Sequence, residues 1–252
     1  GLNYLFFSSK LNYFTNKFLP NHVSSMNWLA PAIFLKKKIE NGILIDLGST
    51  TTDITIIKHS NLINKNFNDF DRLTNHELVY TGIVRTPIFS LSKSLIINNT
   101  DLKIIPELFS NMADIYRISG NLPRNADLFT TMDGRSKSKV NSYKRVSRNF
   151  GFDYKNSKKQ LLKTISEKLI DIQLKLIFDS VEKKLKQMKV RKKMPIISSG
   201  IGKELINDYC KKNNYDVKCF SEFLKGKKKL KSEAGNHAPA TACALLLCDL
   251  NN

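Results

Sequence analysis

Apolar and polar positions are patterned most sharply over residues 42–57, which read GILIDLGSTTTDITII. Ile43-Leu44-Ile45 is a short β-branched apolar run, and Ile54-Thr55-Ile56-Ile57 is a second one. The pattern predicts two strands joined by a tight turn, with Asp46 at the end of the first strand. Further on the period changes. Leu161, Ile165, Leu169, Ile172, Leu176 and Ile177 step by three or four with lysines on the other face, which predicts a long helix over residues 157–187. Leu108, Met112, Ile115, Tyr116 and Ser119 predict a helix over residues 107–120 that closes on a Gly120 cap. A short strand over residues 194–198 turns at Ser199-Gly200-Ile201-Gly202 into a helix over Lys203–Lys212. Residues 215–220 read as a strand, residues 225–231 as a lysine-rich loop, and Ala238–Leu250 as a closing helix.

Ahead of the hairpin, residues 1–41 read as mostly helical. Residues 21–25 form a cap region for a helix carrying Met26, Leu29, Ile33 and Phe34, with Pro31 early in it. Tyr4, Phe6, Phe7, Tyr13, Phe14 and Phe18 make an aromatic leader with no evident partner. Residues 58–106 alternate short β-like runs with Asn-rich turns, and residues 69–73 suggest one helical turn. Leu78, Tyr80 and Ile83 predict a strand leading into a turn at Gly82, with Pro87 barring a central-strand position beyond it.

The hairpin turn carries the first chemistry. Gly48 permits close backbone approach, and Ser49, Thr50, Thr51 and Thr52 add four consecutive hydroxyls to the turn's N–H donors. Such a loop fits phosphate oxygens. The Asp46 carboxylate would sit beside that anion only through a cation or water, which points to Mg²⁺. A plain hairpin with a threonine-rich turn is the alternative, since threonine is common in strands. Gly200 and Gly202, between a strand and a helix, would place further N–H donors at a helix N-terminus. Arg85 could clamp a diphosphate bidentately or pair with a carboxylate such as Asp71. Asp114, on an otherwise apolar helix, could bind metal, activate a nucleophile or simply cap the helix. Asp133 could cap a basic helix over residues 135–149 or join the active site. His76-Glu77 begins like a zinc-protease H-E-x-x-H, but Tyr80 stands where the second histidine belongs. His237, alone at the mouth of the last helix, reads as structural.

Charge adds little to this picture. The net charge is +19, and residues 134–231 hold 28 Lys+Arg against 9 Asp+Glu, so the imbalance lies in the second half. These residues are not interleaved with aromatics and decorate a helix with a proper apolar face. They read as a solvated surface, and neither a nucleic acid nor a membrane is expected as partner. The cysteines, Cys210, Cys219, Cys243 and Cys248, form no C-x-x-C pair and suggest neither zinc nor disulfides. No stretch reads as a signal peptide or membrane span, so a cytoplasmic protein is expected.

Several segments carry a resemblance. Asp46-Leu47-Gly48-Ser49-Thr50-Thr51-Thr52-Asp53 is similar to the second-lobe phosphate loop of the actin, sugar kinase and Hsp70 superfamily, and more narrowly of its hydantoinase A/oxoprolinase branch. Asn27-Trp28-Leu29-Ala30 resembles the AANWLA segment that closes the first lobe in that family. The eleven residues ELVYTGIVRTP, from Glu77 onward, resemble the GELVYTGVLRTPV signature of one of its subfamilies. That subfamily contains the ether-forming enzymes of methanofuran biosynthesis and homologues linked to tetrahydromethanopterin-dependent one-carbon transfer. Ala113-Asp114-Ile115-Tyr116 resembles TADVY, and Asp133-Gly134-Arg135 resembles TADGR with Met132 in place of its alanine.

The resemblance covers roughly residues 20–250. It implies an α/β fold of the ribonuclease H-like, actin/Hsp70 type. Residues 1–41 would be the end of a first lobe and residues 42–252 the second lobe. The family's earlier Asp-x-Gly-Gly loop is absent from residues 1–41, so a chain lacking most of lobe one is expected. The implied reaction is transfer of an aminomethylfuran group from its diphosphate to a tyramine phenol. Mg²⁺ would be held through Asp46, phosphate by Gly48 to Thr52 with Gly200 and Gly202, and Arg85 would assist; Asp53 and Asp114 are the candidate bases. Alternatives are an ATP-dependent hydrolase of cyclic amides and a silent binding fragment.

Overall fold

The computed structural model describes residues 5–9, 14–18, 20–23, 26–189 and 194–250. Tyr4, Tyr13, Ser24 and Ser25, invoked above, lie outside them. In chain order the elements are β1 (Phe6–Phe7), β2 (Phe14–Thr15), α1 (Pro20–Val23), α2 (Leu29–Lys36), β3 (Gly42–Leu47), β4 (Thr52–Lys58), β5 (Asn61–Leu62), α3 (Asp69–Thr74) and β6 (Leu78–Val79). There follow β7 (Ser94–Ile97), β8 (Thr100–Lys103), α4 (Met112–Ser119), α5 (Lys139–Asn149), α6 (Lys159–Gln187), β9 (Ile196–Ser199), α7 (Lys203–Lys212), β10 (Val217–Cys219), α8 (Lys228–Asn236) and α9 (Ala238–Leu250). This is a mixed α/β architecture. Its described parts fall into two compact units: Gly1–Leu47, Thr52–Val79 and Ser180–Asn252 form one, Gly48–Thr51 and Tyr80–Asp179 the other.

The first unit is built on a mixed sheet of order β10-β9-β3-β4-β5, with β6 also paired to β4. β3 and β4 are the predicted antiparallel hairpin, and β9 and β10 run parallel beside β3. Every residue of β3 is buried, as expected of a central strand with neighbours on both sides. Leu44, Ile57 and Ile197 share an apolar cluster with α2 and with Ala238, Ala242 and Leu246 of α9. Trp28, Leu29, Ala30, Ala32, Ile33, Phe34 and Leu35 thus belong to this core. Pro31 falls in the first turn of α2, where its missing N–H costs nothing. The described residues before α2 are not mostly helical: β1 and β2 pair antiparallel, and Phe7 and Phe14 pack edge-to-face at 5.6 Å against the same cluster. The expected cap region is occupied by α1, and Trp28, at the N-cap of α2, makes no side-chain cap bond.

Two further boundaries differ here. The lysine-rich loop folds from Lys228 onward into α8, because Gly235 packs against Ser221 and tertiary contact overrides the like charges. The strand after α7 is confined to Val217–Cys219.

The second unit holds the β7–β8 hairpin, closed by Asn98 and Asn99 in left-handed conformations, together with α4, α5 and α6 up to Asp179. α4 begins at Met112 and not at Glu107. Asn111 caps it by accepting from the Asp114 amide, and Gly120 closes it at φ 89° as expected. α5 begins at Lys139 with Ser138 as its cap, so Asp133 is not the capping residue. The buried stripe of α6 runs through Leu162, Ile165, Leu169, Gln173 and Ile177, while Leu176, expected inside, is exposed. No helix among the described residues is long and apolar enough to cross a membrane, and the four cysteines are free.

Candidate functional site

In the first unit, register places Asp46 directly opposite Asp53 on β4 and opposite Ser199 on β9. Alternation puts all three on the sheet face that carries Leu44, Ile57 and Ile197, so two carboxylates emerge from an apolar layer. Burial first and the Asp53 charge second, opposed in part by the Ser199 hydroxyl, together push the Asp46 carboxyl up to about 7. Ser199 Oγ nevertheless meets no partner with full hydrogen-bond geometry, and no ion pair reaches Asp46 among the described residues. Gly200, at φ 82°, follows immediately. A Cβ there would overlap Asp46 Oδ1 and approach Leu47 O to 2.5 Å, so this position requires glycine. Gly202 N donates to Leu47 O at 2.9 Å, and Gly200 N to Gly235 O at 3.0 Å. The structure therefore brings Asp46, Asp53, Gly200 and Gly202 together.

Asp53 is held differently. Its Oδ1 accepts from Arg72 at 2.7 Å, and Arg72 also donates to Glu77 O at 3.2 Å. The Arg72 guanidinium lies 4.2 Å from the centre of the Trp28 ring, a cation–π contact in a dry setting. Burial raises the Asp53 carboxyl and the Arg72 charge and hydrogen bond pull it down. Arg72 was not singled out in the sequence, where it reads as one polar residue of a short helix. Only the tertiary fold sets it between Trp28 and Asp53.

The hairpin turn belongs to the second unit. Gly48 N donates to Thr51 O at 2.9 Å, closing the turn on itself. Its carbonyls are taken by the segment after Tyr80: Ile83 N donates to Gly48 O at 3.0 Å, and Val84 N and Arg85 N to Ser49 O at 3.0 and 2.9 Å. Gly82 packs so closely that a Cβ would come within 2.5 Å of Ser49 C and Thr50 N. The amides of Ser49, Thr50 and Thr51 make no hydrogen bond among the described residues, and their side chains are partly exposed. Three successive donors without acceptors, on a backbone pinned by its carbonyls, are what an anion site requires. Thr52, expected to be a fourth, is instead fully buried as the first residue of β4, opposite Leu47 and Val79. Arg85 is exposed, its guanidinium 5.0 Å from the Phe129 ring centre. Asp71, the carboxylate suggested for it, is engaged by Asn68 at the start of α3.

Asp114 is also in the second unit, in a knot of charge. Its Oδ1 accepts from Arg145 Nη2 at 2.6 Å, Ser142 at 2.8 Å and Arg117 at 3.0 Å, and its Oδ2 from Arg145 Nε at 3.0 Å. Arg145 also reaches Asp133 at 3.0 Å, and Arg117 reaches Asp127 at 2.6 Å. Residues 113–116 and 133–135 thus lead into one internal network. A cavity of about 350 Å³, lined in part by Lys139, Lys163, Glu167 and Asp171, contains none of the expected site residues.

Residues 10–247 match the Hydantoinase/oxoprolinase family. The chain belongs to that family. A Methanocaldococcus jannaschii protein named (4-{4-[2-(gamma-L-glutamylamino)ethyl]phenoxymethyl}furan-2-yl)methanamine synthase is 32% identical over 187 residues, 74% of this chain and 56% of that protein. A Methanococcus vannielii protein of the same name is 30% identical over 178 residues, 70% of this chain and 78% of that protein. The chain therefore spans little more than half the length of the first of these relatives. Both relatives are named as synthases.

No group of three or more His, Cys, Asp or Glu side chains able to hold a metal occurs among the described residues. A hard divalent cation such as Mg²⁺ does not need one, since it takes one or two carboxylates and completes its shell with water and substrate phosphate. Asp46, a buried carboxylate with no ion-pair partner among the described residues, fits that role.

Proposed function

We propose that this family member forms an aryl ether, joining the methylene carbon of an aminomethylfuran diphosphate to the phenol oxygen of a tyramine derivative. The C–O bond to diphosphate breaks as the phenol C–O bond forms; diphosphate leaves with the electron pair, and the phenol gives up its proton. The name of the two relatives supports this, since it describes a furan carrying a phenoxymethyl group. The single observation that carries it is the turn whose Ser49, Thr50 and Thr51 amides have no acceptor among the described residues while its Gly48, Ser49 and Thr51 carbonyls are satisfied. Those donors would hold the diphosphate as its charge grows, and Arg85, fixed at the turn through its own amide, would add a positive charge.

Asp46 would hold Mg²⁺, which when bound neutralises the leaving diphosphate. Of the two candidate bases, Asp114 has both oxygens occupied by Arg145, Arg117 and Ser142, whereas only Oδ1 of Asp53 is bonded to Arg72. Asp53 is therefore the better acceptor for the phenol proton. We read the sheet and its helices as the second lobe of a ribonuclease H-like, actin/Hsp70-type fold, with residues 1–41 as the remnant of the first.

The family description also favours a second reading, ATP-dependent hydrolysis of a cyclic amide, in which the same turn would hold ATP phosphates. One assay separates the two. Diphosphate release from the furan substrate with Mg²⁺, seen only when the phenol is present, is the expected result. ATP turnover stimulated by a hydantoin or oxoproline would reverse the assignment. Neither reaction would leave a binding fragment without catalysis.

A further inference from the structure

One fully buried amide in the second unit takes no part in the scheme above. Gln173 lies on the buried face of α6 between Leu169 and Ile177. A primary amide is tolerated there only if its donors and acceptor are matched. They are: the Tyr116 hydroxyl donates to Gln173 Oε1 at 2.5 Å, and Gln173 Nε2 donates to Thr81 Oγ1 at 2.7 Å and to Gly82 O at 2.9 Å. A carbonyl can only accept, so the nitrogen end must face Gly82, and burial keeps the Tyr116 hydroxyl protonated as the donor. The Gly82 carbonyl also accepts from Thr86 Oγ1 at 3.0 Å, and Gly82 N donates back to that hydroxyl at 2.8 Å. From Gly82 the amides of Ile83, Val84 and Arg85 run directly onto the carbonyls of Gly48 and Ser49. The two loops form one hydrogen-bonded double turn, and α6 grips it through Gln173.

We propose that Gln173 is a positioning residue: it fixes the Gly82 backbone so that the turn's carbonyls stay occupied, its amides stay open to an anion, and Arg85 stays at its flank. This rests on the anion-binding role of the turn proposed above. Gln173 touches no substrate and acts through Gly82.

Gln173→Met, close in length and volume, removes both donors, while Gln173→Asn keeps the amide but draws it back by one methylene. Tyr116→Phe is the control, since it strips the opposite end of the same amide and leaves the loop's bonds in place. Hydrogen–deuterium exchange on the full chain is read at Ile83, Val84 and Arg85. Loss of a buried hydrogen bond should speed exchange there about tenfold in Gln173→Met and Gln173→Asn, and leave it unchanged in Tyr116→Phe. Titration with inorganic pyrophosphate and Mg²⁺ should show Kd raised about tenfold in the same two variants. Combining either with Arg85→Ala should cost less than the product of the single changes.

Unchanged exchange in whichever Gln173 variant folds, or equal acceleration in Tyr116→Phe, overturns the proposal regardless of binding. The expected exchange pattern in a wild-type chain that binds no pyrophosphate overturns the diphosphate assignment instead, and reduces Gln173 to a structural tether.

Discussion

Two buried aspartates, Asp46 in the first unit and Asp114 in the second, are 7% and 3% exposed, yet their surroundings are opposite. Asp114 is enclosed by two arginines and a serine that use both its oxygens. Asp46 has no ion pair among the described residues, faces a second carboxylate across the ladder, and holds its proton up to about pH 7. A saturated carboxylate serves folding, because its desolvation is offset on the spot. An unsaturated one leaves electrostatic demand for something else to meet, which is the signature of a site.

The largest expected effect breaks the saturated side. Arg145→Met strips Asp114 of its principal partner, and losing one member of a buried pair costs about 3–5 kcal/mol. Chemical denaturation should show that loss; a change under about 1 kcal/mol would mean that Arg117 and Ser142 suffice.

Asp46→Asn should do the reverse to stability while removing function. The folded chain keeps the Asp46 proton up to about pH 7, whereas an ordinary aspartate releases it near 3.8. Between those values the folded state binds more protons, so stability falls as pH rises across that window, by at most roughly 4 kcal/mol at about 1.4 kcal/mol per pH unit. Without Mg²⁺ or diphosphate, Asp46→Asn should therefore melt above the wild type at pH 8, with the gap closing toward pH 4. In the same variant Mg²⁺ dependence and most of the activity, on the order of 100-fold, should be lost. Equal melting curves across the pH range would place the Asp46 proton elsewhere.

Gly82→Ala tests whether the turn matters as a rigid object. Its Cβ would meet Ser49 and Thr50 backbone at 2.5 Å, so the double turn must open, at a cost of about 1–3 kcal/mol. Pyrophosphate binding should suffer more than thermal stability. Arg85→Ala should be the mildest: the side chain is exposed, so stability should move by less than about 0.5 kcal/mol. Pyrophosphate affinity should still drop about tenfold, as for one lost charge-assisted contact. Unaltered affinity would remove Arg85 from the site.

Much of the scaffold was legible because it is local. The 42–57 hairpin, the helix opening at Lys203 after Gly200 and Gly202, the Gly120 cap and the closing helix are written in period and in glycine, which act over a few residues. Boundaries failed where a nearby cap or a distant surface decides them, as at Ser138, Asn111 and α8. The expectation for Thr52 failed for a similar reason, since a hydroxyl run does not reveal which member the ladder will claim.

By itself the sequence determined the family, the 42–57 hairpin and the two carboxylates on it, because residue type and spacing carry them. Only the tertiary structure decided which buried aspartate is satisfied, that Arg72 rests on Trp28 to hold Asp53, and that Gln173 holds Gly82. These pairings join residues far apart in the chain, and burial and hydrogen-bond satisfaction have no value until the chain has folded around them.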